Sequence, residues 1–355
     1  MIRVALDTNA LYMTRAGTAR YIKGLKKGLS TLAHPELEFF NLAWPVENLT
    51  YRQPQRSLKT FYRDLIWAPL VAPSMLRRER VDILHSAAGF FISPPNDVRN
   101  VVTLHDLAVI RHPERYRRWG AFSGARRTRK TTQADAIICV SQFTADEAMK
   151  LLGLPASKLH VIHHGIDKPG QSNISDLSRL GVELPPTFFL FVGSLEPGKN
   201  LALLRAVYGL AAAREQALPP LVVVGARWEG VPREGPAPSN WLFLGQQPDG
   251  VLFYLYRKAL ALIFPSKYEG FGLPVVEAQI CGCPVICSPI ASLQEVGGKG
   301  ALYVDLTPEH YLQAMQRVLT NDSLRSELIA AGRENSSRFS WEKCAAETVA
   351  VYHST

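Results

Sequence analysis

Residues 264–288 read FPSKYEGFGLPVVEAQICGCPVICS. An apolar strand ends at Phe264, a turn follows with glycines at 270 and 272, and Pro274 opens a helix. A second apolar strand, Val285–Cys287, closes the unit, so the stretch reads as strand, turn, helix, strand. Proline suits the first turn of a helix, where the backbone N–H groups lack partners within the helix. Such an end attracts a phosphate, because free donors and the helix dipole both favour negative charge. Two carboxylates flank the turn, Glu269 and Glu277. They would repel a phosphate, so they make sense as grips for hydroxyl groups on either side of it. A diphosphate flanked by two hydroxylated rings is a nucleotide sugar.

The same alternation of strand and helix continues in both directions, which predicts parallel sheets covered by helices. Before the break at 164–167 the expected strands are Arg3–Leu6, Glu38–Leu42, Ile83–His85, Val101–Leu104 and Ala136–Val140. Expected helices are Thr18–Leu32, Leu58–Ala68, Tyr116–Thr132 and Ala145–Leu152. Leu58–Ala68 is expected to stop before Pro69, since proline cannot donate to the helix ladder, and Ser141 is a candidate helix cap. The polar stretch KPGQSNISDLSRLGVELPP from Lys168 reads as a linker. Beyond it, strands are expected at Phe188–Val192, Leu221–Val224, Trp241–Leu244, Ala261–Phe264, Val285–Cys287 and Ala301–Val304. Ser340–Tyr352 reads as a capped amphipathic helix able to return to the first unit.

The chain has 355 residues, 47% hydrophobic and 20% charged, enough for two domains of ordinary size. The MIRVALD start alternates like a strand and lacks the apolar segment of a signal peptide, so the expected compartment is the cytosol. Five cysteines at 139, 281, 283, 287 and 344 lie mostly in apolar runs without zinc spacing, and buried reduced thiols are expected. The net charge of +9 is lopsided: residues 1–167 hold 24 Lys and Arg against 14 Asp and Glu, a net charge of +10, while 168–355 hold 16 against 17. Arg111–Lys130 alone carries eight basic residues and one acid. Arg77, Arg78 and Arg80 form a second cluster beside Trp67 and Met75. Basic residues mixed with aromatics suit an anionic membrane surface, an anionic acceptor, nucleic acid, or simply a solvated face.

Three further sites bear on chemistry. Gly193-Ser-Leu-Glu-Pro-Gly-Lys-Asn200 follows an apolar strand and fits the phosphate-loop pattern, but Asn200 stands where magnesium needs Ser or Thr. A nucleoside triphosphatase is therefore an alternative; in either reading Lys199 is the candidate to neutralise a phosphate. Gly17 opens a helix after the first strand, where a strand–helix loop would face a cleft. His105 follows the Val101–Leu104 strand at the carboxyl edge, where ligands bind in such sheets, and could donate to a substrate hydroxyl. Asp106 is expected to brace the loop.

Taken together, PS-x-x-EGFGLPVVEA-x-x-CG-x-PVI-x-S, Val102-Thr-Leu-His-Asp106, Val140-Ser-Gln-Phe143, Val161-Ile-His-His-Gly-Ile-Asp167 and the 191–200 loop resemble retaining glycosyltransferases of the GT-B fold, family 4. The resemblance implies an α/β fold of two Rossmann-like domains with a cleft between them and a C-terminal crossover helix. Its domains would be an acceptor-binding unit at 1–167, a nucleotide-sugar unit at 168–339, and a helix at 340–355 packing back on the first. It implies that Glu269 and the backbone of Gly270, Phe271, Gly272 and Leu273 hold the sugar and diphosphate, and that Glu277 bonds the ribose. Lys199, with the Gly193 and Ser194 turn, would neutralise the diphosphate. Gly17 would close over it, His105 would contact the donor sugar, and Gly245 would line the base pocket. The catalytic set would be His105, Lys199 and Glu269, with no metal and no cofactor beyond a GDP-sugar or UDP-sugar donor.

The implied reaction moves a mannose-type or glucose-type hexose, with retention, onto a saccharide acceptor. That acceptor would be lipid-linked, in surface polysaccharide synthesis, with peripheral contact to an anionic membrane and no role for nucleic acid. A nucleotide-sugar-binding protein without catalysis is the other alternative. Ser194 and Gly198 stand where many relatives carry an arginine.

Overall fold

A computed structural model of the chain describes residues 1–13, 17–32, 34–44, 62–88, 91–116, 118–168, 182–227 and 237–355. The chain divides into two compact units, Met1–Gly165 with Phe339–Thr355, and Ile166–Arg338. Most of the expected linker, 169–181, and the start of the expected Leu58–Ala68 helix lie outside the described residues.

The first unit holds a parallel six-stranded sheet: β1 (Ile2–Asp7), β2 (Leu37–Leu42), β3 (Ile83–Ser86), β4 (Arg99–Leu104), β5 (Ala136–Cys139) and β6 (Leu159–Val161). Its order is β2-β1-β3-β4-β5-β6. The edge strand β6 is a three-residue piece whose apolar signal was too short to read. Helices follow the strands in turn: α1 (Ala10–Met13), α2 (Gly17–Thr31), α3 (Ala72–Arg78), α4 (Ala108–Arg111), α5 (Arg118–Lys130) and α6 (Gln142–Leu152). Ser141 caps α6, its hydroxyl accepting from the Thr144 N–H at 3.1 Å.

Register sorts the helices onto the two faces of this sheet, because side chains alternate along a strand. Ala5, Leu84, Val102, Leu104 and Ile137 point to one face, where they meet Trp67, Ala72 and Leu76 at one end and Leu107 and Ala145 at the other. Val4, Leu6, Ile83 and Val101 point to the opposite face and meet Tyr21, Ile22 and Leu25 of α2.

One sequence expectation fails here. The helix does not stop before Pro69: residues Arg63–Val71 form a π-helix that runs through Pro69 and into α3. The i→i+5 winding widens the turn and relieves the clash that a proline makes with an ordinary α-helix. Trp67 is buried in the core, so it does not belong to an exposed basic–aromatic cluster, whereas Met75 is only half-buried.

The second unit repeats the plan with β7 (Phe189–Val192), β8 (Leu221–Val224), β9 (Trp241–Gly245), β10 (Ala261–Phe264), β11 (Val285–Cys287) and β12 (Leu302–Tyr303). FLFV and LVVV are apolar throughout because both faces are covered, as parallel strands require. The order β12-β11-β10-β7-β8-β9 is the doubly wound order, which reverses direction between β7 and β10. Its helices are α7 (Leu201–Ala213), α8 (Asp249–Lys258), α9 (Leu273–Ile280), α10 (Ala291–Gly297), α11 (Pro308–Thr320) and α12 (Asp322–Ser336).

The last helix, α13 (Trp341–Ser354), is capped by Ser340 and packs on α2 within the first unit. Gly24 and Gly28 of α2 make the close approach possible; a Cβ on Gly24 would sit 1.9 Å from the Trp341 ring. All five cysteines are buried free thiols. Burial pushes the Cys139, Cys281 and Cys344 thiols up to about 12, which keeps them protonated.

Candidate active site

In the second unit, the strand reversal lets the loops after β7 and β10 diverge at the carboxyl edge, and the residues singled out in each loop meet there. Glu196 caps the short turn Pro197–Lys199 by accepting from the Gly198 N–H at 2.7 Å. The Gly198 carbonyl in turn accepts from the Lys267 N–H at 2.8 Å, tying the two loops together. The aliphatic stem of Lys199 crosses Gly193, where an added Cβ would lie 3.6 Å from it. Its ammonium pairs with Glu269 and lies 5.6 Å from the centre of the Phe264 ring. The Ser292 hydroxyl donates to the Glu269 carbonyl at 2.7 Å and holds that residue from the helix side.

Gly272 caps α9 with φ 99°, a conformation costly for any side chain, and its added Cβ would strike Leu293 at 2.4 Å. Glycine there lets the chain turn from Glu269 into the helix that carries Glu277. Glu277 is buried, and the Tyr256 hydroxyl of α8 donates to its Oε2 at 3.1 Å. Phe271 is buried beside the turn, with Gly270 before it and Leu273 opening the helix.

Gly193, Gly225 and Gly245 end three neighbouring strands. The Gly225 N–H donates to the Gly245 carbonyl at 2.8 Å, and a Cβ on Gly225 would sit 1.8 Å from the Gly193 carbonyl oxygen. A bridge from Leu195 to Arg227 extends this edge and sets an arginine backbone beside the Lys199 loop.

The hydrogen bonds of that loop answer the triphosphatase alternative. A phosphate loop cradles its ligand with free backbone N–H groups. Here those of Gly193, Leu195, Glu196, Lys199 and Asn200 are taken by backbone carbonyls, and that of Gly198 by the Glu196 carboxylate. What the loop presents is the Lys199 ammonium, with Ser194 at the turn.

Gly17 and His105 belong to the first unit. Gly17 starts α2, and one turn later Tyr21 lies edge-on to His105, ring centroids 4.9 Å apart. The buried His164 lies 4.8 Å from Tyr21 and 5.4 Å from His105 by ring centroids. Behind Tyr21 runs a buried chain: its hydroxyl is 3.1 Å from Thr103 Oγ1, which is 2.8 Å from His85 Nε2, while His85 Nδ1 is 2.6 Å from the Tyr352 hydroxyl of α13. Burial holds His85 neutral, pushing its pKa down to about 3.

His105 is half-buried, and burial lowers its pKa against the opposing pull of the Ala87 carbonyl and Asp106. Its Nε2 lies 2.9 Å from the Ala87 carbonyl, which can only accept. The neutral ring therefore carries its proton on Nε2, and Nδ1 can accept a hydrogen bond but not donate one. In this arrangement the ring offers Nδ1 as an acceptor, where the sequence reading expected a donor to a substrate hydroxyl. Asp106 accepts from the Ala108 N–H at 2.9 Å and braces the loop, as read from its position. Tyr21, Tyr256 and Ser292 went unread because their signals are only a periodic aromatic and two single polar residues.

Among the described residues no three His, Cys, Asp or Glu side chains gather as a metal-binding group, and no helix is long and apolar enough to cross a membrane.

Comparison with known proteins places this geometry. Residues 176–335 match the family described as "Glycosyl transferases group 1", and residues 16–168 match "Glycosyltransferase Family 4". The chain is 31% identical over 294 residues to O-antigen chain mannosyltransferase B of Escherichia coli, covering 78% of this chain and 75% of that protein. It is 29% identical over 272 residues to the serotype-specific mannosyltransferase WbdA of Escherichia coli, covering 71% of this chain and 33% of that longer protein. In structure it resembles sucrose-phosphate synthase from Thermosynechococcus elongatus, with a TM-score of 0.75 at 18% identity over 100% of this chain and 99% of the other.

Proposed function

The chain belongs to the family 4, group 1 glycosyltransferases of the GT-B fold, and from that premise we propose that it moves a hexose from a nucleotide diphosphate sugar to a saccharide acceptor with retention at the anomeric carbon. The observation that carries this reading is the meeting of Lys199 and Glu269 at the strand reversal of the second sheet. An ammonium has three donors. Glu269 holds one of them, which leaves the others for the oxygens of a diphosphate. Charge that develops on the leaving diphosphate is then met by a fixed cation and by the start of α9, in place of a metal. The Arg227 backbone lies beside the Lys199 loop, which makes Arg227 a candidate for the arginine absent at Ser194 and Gly198.

Glu269 also takes hydroxyls of the transferred sugar. Glu277, held by Tyr256, takes the ribose hydroxyls, and Gly245 borders the base. In the first unit, His105 through Nδ1 and Gly17 at the start of α2 are the candidates for sugar-hydroxyl and phosphate contacts. The bond from the anomeric carbon to the diphosphate oxygen breaks as the bond to the acceptor oxygen forms on the same face. The acceptor's proton passes to the leaving phosphate. Relatives named as mannosyltransferases favour a GDP-mannose type of donor, with a UDP-hexose as the other choice, and an acceptor in polysaccharide synthesis. The acceptor is lipid-linked, and the work is done at the inner membrane face.

The test is transfer by Lys199→Ala and Glu269→Ala, with GDP-, UDP- and ADP-sugars first ranked by thermal stabilisation of the native protein. Each variant should lose roughly 10²–10³-fold in kcat, the usual loss on removing a group that meets transition-state charge. Full transfer by either variant would overturn the site, and an inverted product would overturn the front-face mechanism.

A further inference from the structure

The π-helix carries an apolar stripe that the core does not use. Arg63, Trp67, Ala68, Ala72 and Leu76 face inward, mostly four to five residues apart, the repeat that i→i+5 winding imposes. Leu65, Ile66 and Leu70 are turned to the opposite side and stand 54%, 41% and 66% exposed. Isolated exposed leucines are ordinary, but three aliphatic side chains on one outward stripe are not. Beside Leu70 opens a groove of about 400 Å³ lined by Leu70, Val71, Ser74, Met75 and Arg78. Its wall is apolar and its rim carries a guanidinium.

Basic residues flank the stripe on its C-terminal side. Arg77 and Arg78 are exposed on the last turn of α3, and Arg78 pairs with its half-exposed neighbour Glu79 at 3.0 Å, a solvated pair worth little. The π-helix and α3 cover the same face of the sheet as α4 and α6, opposite α2 and α13. On that face α5 leans on α4 and exposes Phe122 with Arg118, Arg126, Arg129 and Lys130. Aliphatic side chains bordered by arginines match the boundary of an anionic bilayer, with acyl chains below and phosphates above.

We propose that this helical layer of the first unit is a docking surface for an anionic membrane: Leu65, Ile66 and Leu70 enter the headgroup–acyl boundary, and Arg77 and Arg78 lie on lipid phosphates. The proposal deepens the reading of a lipid-linked acceptor. Its test uses vesicles without donor or acceptor, so docking and transfer succeed or fail separately.

Flotation of the full chain with phosphatidylcholine vesicles, with and without phosphatidylglycerol, should show binding only to the anionic vesicles. Binding should weaken as salt rises. The Leu65→Ser/Leu70→Ser variant should bind about tenfold or more weakly at every salt concentration. Arg77→Gln/Arg78→Gln should bind weakly at low salt only, by about fivefold per charge. All four positions are exposed, and unchanged melting temperatures confirm folding. Undiminished binding by the leucine variant overturns the proposal. So does a dimer in solution that the leucine variant dissociates, since the stripe would then be an interface between copies.

Discussion

Asp7→Asn should make the protein more stable at neutral pH, by an amount that disappears in acid. Asp7 ends β1 with no exposure to solvent. Its Oδ1 accepts from the Asn9 N–H at 2.9 Å and from Asn9 Nδ2 at 2.7 Å, while Oδ2 has no hydrogen-bond partner among the described residues. Burial raises the carboxyl pKa from 3.8 to about 6, against the opposing Asn9 hydrogen bonds and the Arg63 charge. The folded value lies above the unfolded one, so the native state favours the protonated acid. That stabilisation is complete below the unfolded value near 4 and is lost as pH rises through about 6.

Above pH 6 the native protein therefore holds a buried carboxylate whose ionisation costs about 3 kcal/mol relative to the unfolded chain. Asparagine keeps the shape and the Oδ1 acceptor without the charge. The variant should gain up to about 3 kcal/mol at pH 8, roughly 6–12 °C in melting temperature for a unit of this size, and nothing near pH 4. Because two units need not unfold together, hydrogen exchange of β1 amides in the full chain is the cleaner measure. A variant that is less stable at pH 8, or more stable by the same amount at every pH, would refute the reasoning. The first outcome would mean that Arg63 holds the carboxylate as an ion, and the second that the gain does not come from the charge.

Two further substitutions probe the units separately. Tyr256→Phe removes the 3.1 Å hydrogen bond to Glu277 and should weaken donor binding roughly tenfold or more, as bonds to charged groups do, with kcat little changed. A dideoxyribose analogue should bind wild type and variant alike in calorimetry, and a preserved difference would remove Glu277 from the ribose. Gly24→Ala drives a Cβ into the Trp341 ring and should cost roughly 1–3 kcal/mol or more by overpacking. It should appear as faster exchange and proteolysis at α13, with Trp341→Leu restoring part of the loss; unchanged protection of α13 would show that its packing on α2 is dispensable.

Residue type and spacing along the chain determined every strand but β6, the two repeated α/β units and the cap at Ser141, because each depends on neighbours within one turn or one strand, while the family followed from the resemblance of several separated motifs. The apolar runs FLFV and LVVV declare double-sided burial, and the segment 264–288 carries its turn, helix start and two carboxylates in consecutive residues. Other features depend on what a residue meets across the fold. Lys199 and Glu269 are 70 positions apart and meet only because the sheet order reverses between β7 and β10. The proton on His105 is placed by the Ala87 carbonyl, 18 positions away, and Tyr21 is recruited beside it by the packing of α2. The outward stripe at Leu65, Ile66 and Leu70 exists because Pro69 sits in a π-wound helix, whereas local rules end a helix at a proline. Sequence spacing chose the elements; tertiary packing decided which side chains face one another, because proximity across a sheet leaves no local periodic signal.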